Sequence, residues 1–310
     1  MSGIGQDPSI AVREAVDILR SAGVVAFPTE TVYGLGADAG SDVAIAKVFA
    51  MKGRPTSHPL IVHLAHAAQM RDWADPLPEA AVALAEAFCP GPLTVLVPKA
   101  AHVSLAVTGG RFTVGLRVPS HPLAHALLSA FGGGVVAPSA NRFGRVSPTS
   151  AADVLAELGG RVDLVLDGGP CEVGIESTIV DCTTSPVRIL RHGAITAAMI
   201  EVVLGELPDG PSGPARAPGM LASHYAPACA VLLVDSQAEA QARLAAAAGR
   251  ADILDPGPDL RAYAHGLYGW LRDADVRGLD TLIVVRAPSG GLGEAINERL
   301  TKAAAPRPPG

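Results

Sequence analysis

Apolar residues recur along the chain at two alternating spacings, which predict helices and strands in turn. Residues 9–22 carry apolar side chains at helical spacing, begin with a serine and end before Gly23, so they predict a helix. The apolar run 24–27 predicts a buried strand. Further helices are predicted at 41–51, within 65–89, and at 121–131, 151–158 and 196–204, and further strands at 60–64, 93–98, 113–118, 135–136, 164–166, 178–180 and 187–190. Together these elements predict a mixed α/β domain.

The composition changes at Gly205. Four glycines and four prolines lie between this residue and Gly219, too many backbone breakers for a helix or a central strand. The alternating pattern then returns, with strands predicted at 230–235 and 281–285 and helices at 237–248, 260–271 and 292–303. We therefore expect a larger domain at 1–204, a linker at 205–227 and a smaller α/β domain at 228–310.

Charge is spread evenly along the chain. Residues 1–205 hold 14 Lys and Arg against 18 Asp and Glu, a net charge of −4. The remainder holds 10 against 12, a net charge of −2. A dedicated nucleic-acid-binding protein normally carries a basic domain or stripe. The charge totals therefore do not support a large RNA interface, although a local basic patch stays open.

The apolar runs are far shorter than the ~20 residues of a membrane span, and 310 residues are enough for two packed cores. Residues 1–8 show no basic-then-apolar leader, so we expect a cytoplasmic protein without membrane contact. The cysteines show no C-x-x-C spacing, which argues against a zinc site. We interpret all four as buried thiols: Cys89, Cys171, Cys182 and Cys229.

The segment Lys52-Gly53-Arg54-Pro55 places two cations two residues apart at the end of a predicted helix. Arginine offers a planar fork and lysine a movable point charge, a pair that suits a polyphosphate. The alternative is ordinary helix-stop chemistry, because helix C-termini favour Lys and Arg and often end in glycine followed by proline. The tetrapeptide alone leaves both interpretations open.

Four more polar positions adjoin predicted strands. Thr29 and Thr31 follow the strand 24–27, at the kind of strand end where ligands of α/β sheets tend to lie. Ser139 lies in a polar turn without the G-x-S-x-G elbow, so positioning suits it better than nucleophilic attack. Arg117 closes an apolar strand and needs an anionic partner, either an incoming carboxylate or a structural Asp or Glu.

Eight ordered motifs resemble the YrdC/Sua5 family of L-threonylcarbamoyladenylate synthases. They are PTETVYGLG, KGRP, HPLIVHL, GPLTVLV, VGLRVP, PSAN, GIESTIVD and RILRHG, and the match covers about residues 9–204. The segment 219–227 and the small domain after it are similar to the two-domain Sua5 form. The resemblance implies a YrdC-like catalytic domain, a linker that folds over the active site, and a Rossmann-like α/β domain whose ligand is unassigned.

The resemblance also implies a reaction. The family condenses L-threonine, bicarbonate or carbon dioxide, and ATP into threonylcarbamoyl-AMP and pyrophosphate, and a downstream transferase passes the threonylcarbamoyl group to tRNA beside the anticodon. Mg²⁺ is expected to arrive with the ATP, and no protein side chain is assigned to a metal. Because no protein nucleophile is required, catalysis rests on positioning and charge neutralisation. Contact with tRNA itself is expected to be weak.

Site residues are implied by the matching motif positions. The threonine-binding set is Thr31, His63, Arg117, the backbone at Ala137, and Ser177. The ATP-binding set is Arg54, His58, Thr113, Ser139, Ser147, Arg191 and Tyr225. The set that looks catalytic is Lys52, Arg54, Ser139 and Asn141. Without the family match, His63 would be interpreted as a core histidine.

Several positions stay open. His58 stands where many relatives carry Asn, and its charge could change near neutral pH. Glu30 and Glu176 are the only carboxylates inside the polar motifs, and neither is assigned a role. The segment 289–293 suggests a phosphate-binding turn, yet Ile296 stands where the fingerprint needs a small residue, which favours a plain helix start.

Two other functions remain as alternatives. One is a module that binds double-stranded RNA or tRNA without synthase activity, which the even charge distribution argues against. The other is a carbamoyl-AMP-forming enzyme, as in hydrogenase-maturation proteins with a YrdC-like module. Those proteins are much longer and carry cysteine-rich zinc motifs, which this chain lacks.

Overall fold

A computed structural model describes residues 8–210 and 224–306. We call the elements up to residue 204 the first unit. Its strands are β1 Val25–Phe27, β2 Gly34–Asp38, β3 Ile61–His63, β4 Leu93–Pro98, β5 Thr113–Arg117, β6 Val135–Val136, β7 Leu164–Val165, β8 Thr178–Asp181 and β9 Arg188–Arg191. Its α-helices are α1 Pro8–Arg20, α2 Asp42–Lys52, α3 Met70–Trp73, α4 Glu79–Phe88, α5 Leu105–Thr108, α6 Pro122–Phe131, α7 Ala151–Leu158 and α8 Ala197–Leu204.

The elements after residue 229 form the second unit. They are β10 Ala230–Val234, α9 Gln237–Ala246, β11 Ala251–Leu254, α10 Leu260–Val276, β12 Thr281–Val285 and α11 Leu292–Ala304. The three strands pair in parallel, with β12 between β10 and β11. Together with the mixed sheet of the first unit, this arrangement confirms the predicted α/β class with a second, smaller α/β unit.

Most elements lie where the apolar pattern predicts them, but β2, β11 and the short α5 were not predicted. The segment of β2 is rich in glycine, a composition that is more typical of a turn than of a strand. A Cβ atom on Gly36 would come within 2.7 Å of Cε1 of Phe27, so the glycine lets the strand pass beneath that ring. The glycines here therefore serve close packing inside a strand.

The first unit is built on nine strands in the order β7-β1-β2-β6-β3-β5-β4-β8-β9. One row of paired residues crosses five neighbouring strands: His63 lies opposite Arg117, Arg117 opposite Thr94, Thr94 opposite Ile179, and Ile179 opposite Arg191. Directly paired residues point to the same face of a sheet. The register therefore places His63, Arg117 and Arg191 on one face.

The opposite face packs into the main core. Residues that alternate with the polar row, including Val62, Leu116, Val95 and Val180, are buried against helices there. On the polar side, α1 and α6 cover only the end of the sheet around Phe27. These two helices leave the central part of that side, which carries the polar row, uncovered.

The second unit packs against the first through a shared apolar cluster. Val32, Val146 and Ile175 of the first unit join side chains of α10, β12 and α11 in that cluster. Tyr225 lies in the same cluster. Tyr225, which precedes the second unit in sequence, is therefore part of that unit's core.

None of the helices in the described ranges combines the length and apolar character that crossing a membrane requires. The buried-thiol interpretation holds for Cys171, Cys182 and Cys229. It was wrong for Cys89, which is partly exposed because it lies just past the end of α4.

Candidate active site

The polar row opens into a cavity that is partly open to solvent. Eight of the predicted site residues line it: Arg54, His63, Arg117, Ala137, Ser139, Ser177, Arg191 and Tyr225. Six others lie outside its lining: Thr31, Lys52, His58, Thr113, Asn141 and Ser147. Among the described residues the lining also includes one carboxylate, Glu176, and one more histidine, His224.

Arg117 is held at the end of β5 by a buried carboxylate. Its Nη2 atom lies 2.8 Å from Oε1 of Glu30, and both side chains are about 5% exposed. The same atom donates to Oγ1 of Thr31 at 2.8 Å. Its Nε atom has no hydrogen-bond partner within the described residues. Glu30, to which the sequence assigned no role, thus orients the guanidinium of Arg117. The Nε–H of Arg117 can still donate a hydrogen bond to a ligand.

Arg191 ends β9 and holds the start of β8. Its Nε donates to the carbonyl oxygen of Ser177 at 3.0 Å, and its Nη2 donates to Oγ of Ser177 at 3.1 Å. That hydroxyl also shares a 2.8 Å hydrogen bond with Thr94. Burial lowers the pKa of Arg191, although Tyr225 and Glu176 oppose the shift. The guanidinium is therefore fixed beside Ser177 on the cavity wall.

Arg54 reaches the cavity from the loop after α2. Its Nη2 donates to the carbonyl oxygen of Pro59 at 2.9 Å, and its Nε has no partner among the residues described. Burial lowers its pKa to about 10, with a smaller contribution from Arg191 in the same direction. At neutral pH it remains a cation. Three buried arginines thus line a single cavity.

Lys52 lies behind the cavity wall and holds the loop that carries Ser139. Its Nζ donates to the carbonyl oxygen of Ser139 at 2.5 Å and to that of Asn141 at 2.6 Å. Burial, and then the charge of Arg54, lower its pKa well below the usual value. The side-chain amide of Asn141 in turn donates to the carbonyl oxygen of Arg145 at 2.7 Å. Lys52 and Asn141 therefore shape the Ser139 loop.

Glu176 is the carboxylate of the cavity wall, and donors from both units hold it. Its Oε1 accepts from Ser147 at 2.6 Å, and its Oε2 accepts from Tyr268 at 2.7 Å and from Arg299 at 2.9 Å. Burial acts to raise the pKa of Glu176, but Arg299, Arg191 and the two hydroxyls outweigh it and lower the pKa to about 2. Glu176 is therefore an anion whose charge Arg299 offsets.

His224 and Tyr225 close the cavity from the segment before the second unit. The backbone N–H of His224 donates to the carbonyl oxygen of Lys302 at 3.2 Å, and that of Ala226 donates to the carbonyl oxygen of Gly144 at 3.1 Å. Tyr225 has a φ of 61°, a left-handed conformation that is strained for a residue with a side chain. Its ring stacks on Tyr268, and its hydroxyl has no partner within the ranges described. That hydroxyl is a donor buried at the cavity.

His63 and His224 are both neutral. Burial lowers the pKa of each to about 3, and Arg117 adds to the shift at His63. Nδ1 of His63 lies 3.2 Å from the carbonyl oxygen of Ile61. His63 can therefore exchange hydrogen bonds with a ligand, but it is a poor acceptor of a full proton at neutral pH.

The comparisons with known proteins agree with the geometry. Residues 17–193 match the Sua5, YciO and YrdC family described as "Telomere recombination", and residues 195–305 match "Threonylcarbamoyl-AMP synthase, C-terminal domain". The threonylcarbamoyl-AMP synthase of Bacillus subtilis is 40% identical, over 97% of this chain and 94% of that protein. Its counterpart in Pyrococcus abyssi is 37% identical, over 94% and 93%.

This chain belongs to the threonylcarbamoyl-AMP synthase family. The crystal structure of P. abyssi Sua5 complexed with L-threonine is similar to it along almost its whole length, with a TM-score of 0.91 and 36% identity. That similarity covers 96% of this chain and 94% of the other. The resemblance to the two-domain Sua5 form of the family is thereby confirmed.

The threonylcarbamoyl-AMP synthase motifs in the sequence did not predict a role for every residue that lines this cavity. His224 precedes Tyr225 directly, but its position three residues before Pro227 carries no chemical signal in the sequence. The partners of Glu176 could not be found from local sequence, because Arg299 lies 123 residues further along the chain. His58 is partly exposed, and its ring lies against Phe143 at 5.3 Å.

Proposed function

We propose that this family member forms threonylcarbamoyl-AMP and pyrophosphate from L-threonine, bicarbonate or carbon dioxide, and ATP. The observation that carries the proposal is the convergence of Arg54, Arg117 and Arg191 on one cavity whose wall carboxylate is already offset by Arg299. Such a cavity favours anions, and both the threonine carboxylate and the triphosphate are anions. Threonylcarbamoyl-AMP synthase relatives of nearly equal length support the same reaction.

The register supports two separate anion subsites. Arg117 and Arg191 lie on strands three steps apart in the sheet, which corresponds to about 14 Å between their backbones. We assign the threonine carboxylate to Arg117, with Thr31, His63, Ser177 and the Ala137 backbone around it. We assign the phosphates of ATP to the cations Arg54 and Arg191, with these polar residues as further contacts: His58, Thr113, Ser139, Ser147 and Tyr225.

The proposed chemistry needs positioning more than acid or base catalysis. The threonine amine adds carbon dioxide and loses a proton, and an oxygen of the resulting carbamate attacks the α-phosphorus of ATP. The bond from the α-phosphorus to the bridging oxygen breaks, and pyrophosphate leaves with the electron pair. Ser139 and the cations Arg54 and Arg191 would hold the phosphates in line for this displacement. Lys52 and Asn141 would fix the loop that presents Ser139.

A divalent cation, which we propose is Mg²⁺, would come with the nucleotide. Across residues 8–210 and 224–306, no group of three or more His, Cys, Asp or Glu is arranged to hold a metal ion. The lining fits a metal carried by phosphate oxygens better than one held by side chains, because Glu176 already has three donors. When bound, Mg²⁺ would offset charge on the triphosphate.

We propose the boundaries 1–204, 205–227 and 228–310 for the catalytic domain, the linker and the C-terminal domain. Residues 211–223 lie outside the described residues, so the proposal that the linker folds over the site rests on its end at His224 and Tyr225. Both line the cavity. A cover at this position would keep water from the labile carbamate.

The test supplies ATP, bicarbonate, Mg²⁺ and each amino acid in turn, and measures pyrophosphate and the adenylate product. Threonine should give the fastest release, and omission of bicarbonate should abolish it. Release that does not depend on threonine would reject the proposal. Addition of a tRNA threonylcarbamoyl transferase and tRNA should then consume the adenylate, with this chain itself holding tRNA only weakly.

A further inference from the structure

Arg299 is the charge partner of the cavity carboxylate, although it belongs to the second unit. It lies on α11 and its side chain is 0% exposed. Its Nε donates to Oε2 of Glu176 at 2.9 Å, and its Nη2 donates to the carbonyl oxygen of His192 at 2.9 Å. A buried guanidinium in such a position is fixed in direction. The second unit thus sets the charge of the first unit's cavity wall.

Tyr268 and Ser147 complete the hold on this carboxylate. Tyr268 comes from α10 and donates to the same oxygen as Arg299, whereas Ser147 donates to the other oxygen. Three donors therefore occupy both oxygens of Glu176. The carboxylate is anchored toward the interface between the two units.

Arg191 is the cation that would compete with Arg299 for the carboxylate of Glu176. It is bound through Nε and Nη2 to Ser177, the residue next to Glu176, and after Arg299 it is the cation that lowers the pKa of Glu176 most. Without Arg299, a buried carboxylate would need another counter-charge. The neighbouring guanidinium of Arg191 would supply it, and an anionic ligand would then meet a neutralised cation.

We infer that Arg299, assisted by Tyr268, is a positioning residue of the anion site: it keeps Glu176 paired with the second unit, so that the charge of Arg191 acts on a bound polyphosphate. This inference rests on the proposed function, which assigns Arg191 to the phosphates of ATP. It gives the second unit a direct electrostatic role in ligand binding.

The test measures the dissociation constants of ATP and of pyrophosphate by calorimetry for the full chain and three variants. Arg299→Met should weaken binding of both ligands by at least about tenfold, because a charge-assisted contact is lost. The double variant Arg299→Met/Glu176→Gln should recover to within about threefold of wild type, since it has no free carboxylate to neutralise Arg191. Arg286→Met is the matched control, because it breaks an exposed ion pair with Asp235 in the same unit. It should bind like wild type.

Equal binding by wild type and Arg299→Met would overturn the inference. It would also be overturned if the double variant bound as weakly as Arg299→Met, because Arg299 would then have a structural role only. If Arg299→Met does not fold, Tyr268→Phe replaces it, with an expected loss of about threefold that Glu176→Gln reverses; unchanged binding by Tyr268→Phe then counts against the inference. A wild-type chain that binds neither ligand overturns it as well. Binding without threonine-dependent pyrophosphate release would reject the proposed function alone.

Discussion

The Nζ atom of Lys52 lies 2.6 Å from the carbonyl oxygen of Asn141, and the same atom bonds the carbonyl oxygen of Ser139. The side-chain amine thus holds together the two ends of the short segment from Ser139 to Asn141 at the cavity. The sequence suggests Lys52 as one of two cations that bind a polyphosphate, whereas in the structure its side chain supports the loop that carries Ser139.

Replacement of Lys52 by Met should slow pyrophosphate release at least about tenfold, because the Ser139 loop loses two charge-assisted hydrogen bonds. Steady-state kinetics would measure the effect, and a thermal melt would check that the fold survives. Lys47→Met is the matched control on the same helix, since Lys47 donates to the carbonyl oxygen of Ala22, just past α1, at 2.7 Å. Equal rates for wild type and Lys52→Met would contradict this role.

Replacement of Arg117 by Lys should raise the KM for threonine at least about tenfold and change the KM for ATP little. Lysine keeps the charge but loses the planar fork that bonds Glu30 and Thr31 while presenting Nε. The measurement is the initial rate at varied threonine and fixed ATP. Arg188→Lys, at a partly exposed ion pair with Asp209, is the control. A larger effect on ATP than on threonine would reject the assignment of Arg117 to the amino acid.

Replacement of Tyr225 by Phe should weaken ATP binding about two- to tenfold without lowering the melting temperature. The hydroxyl has no partner within the described ranges, so its removal costs the free protein nothing, whereas a ligand would lose one neutral hydrogen bond. Burial raises the pKa of Tyr225 to about 12, so the hydroxyl stays protonated. Calorimetry and thermal melts would separate the two effects.

Tyr263→Phe is the control for that experiment. The Tyr263 hydroxyl donates to the carbonyl oxygen of Val285 at 2.6 Å within the second unit. Its loss should lower the melting temperature and leave ATP binding unchanged. If Tyr225→Phe behaved in the same way, the Tyr225 hydroxyl would have no role in ligand binding.

Glu176 should make the stability of the protein sensitive to acid. Its pKa is lowered to about 2 in the folded chain, below the usual value of 4.5, so the folded state favours the anion. This contribution is complete above about pH 5 and is lost as the pH falls from about 4.5 toward 2. The difference in melting temperature between wild type and Glu176→Gln should therefore be constant from pH 7 to 5 and shrink below it. A difference that grew on acidification would have the wrong sign.

The cations of the site could be predicted from sequence because each adjoins a recognisable motif and a predicted strand. Arg54, Arg117 and Arg191 all line the cavity. The sequence also suggested that Arg117 needed an anionic partner and left open whether the partner is a ligand or a structural carboxylate. The structure contains the carboxylate, Glu30, and still leaves one buried donor of Arg117, Nε, without a partner among the described residues.

The contacts between the two units could not be predicted in this way. Apolar periodicity identifies α10 and α11 as amphipathic helices, but it cannot say which buried polar side chain each will meet. Tyr268 and Arg299 meet Glu176 only because the shared apolar cluster sets the two units at one particular distance. The failure to predict strand β2 has a similar cause, since the close packing of Phe27 on Gly36 is a tertiary contact.

The long separation between Glu176 and Arg299 also sets an order of assembly. A ribosome makes β8 well before α11, and domains fold mostly in the order in which they are synthesised. The first sheet can therefore form while Glu176 still lacks its counter-charge. In that order of synthesis, the proposed anion site would reach its final charge arrangement only when the second unit docks on a first unit that has already folded.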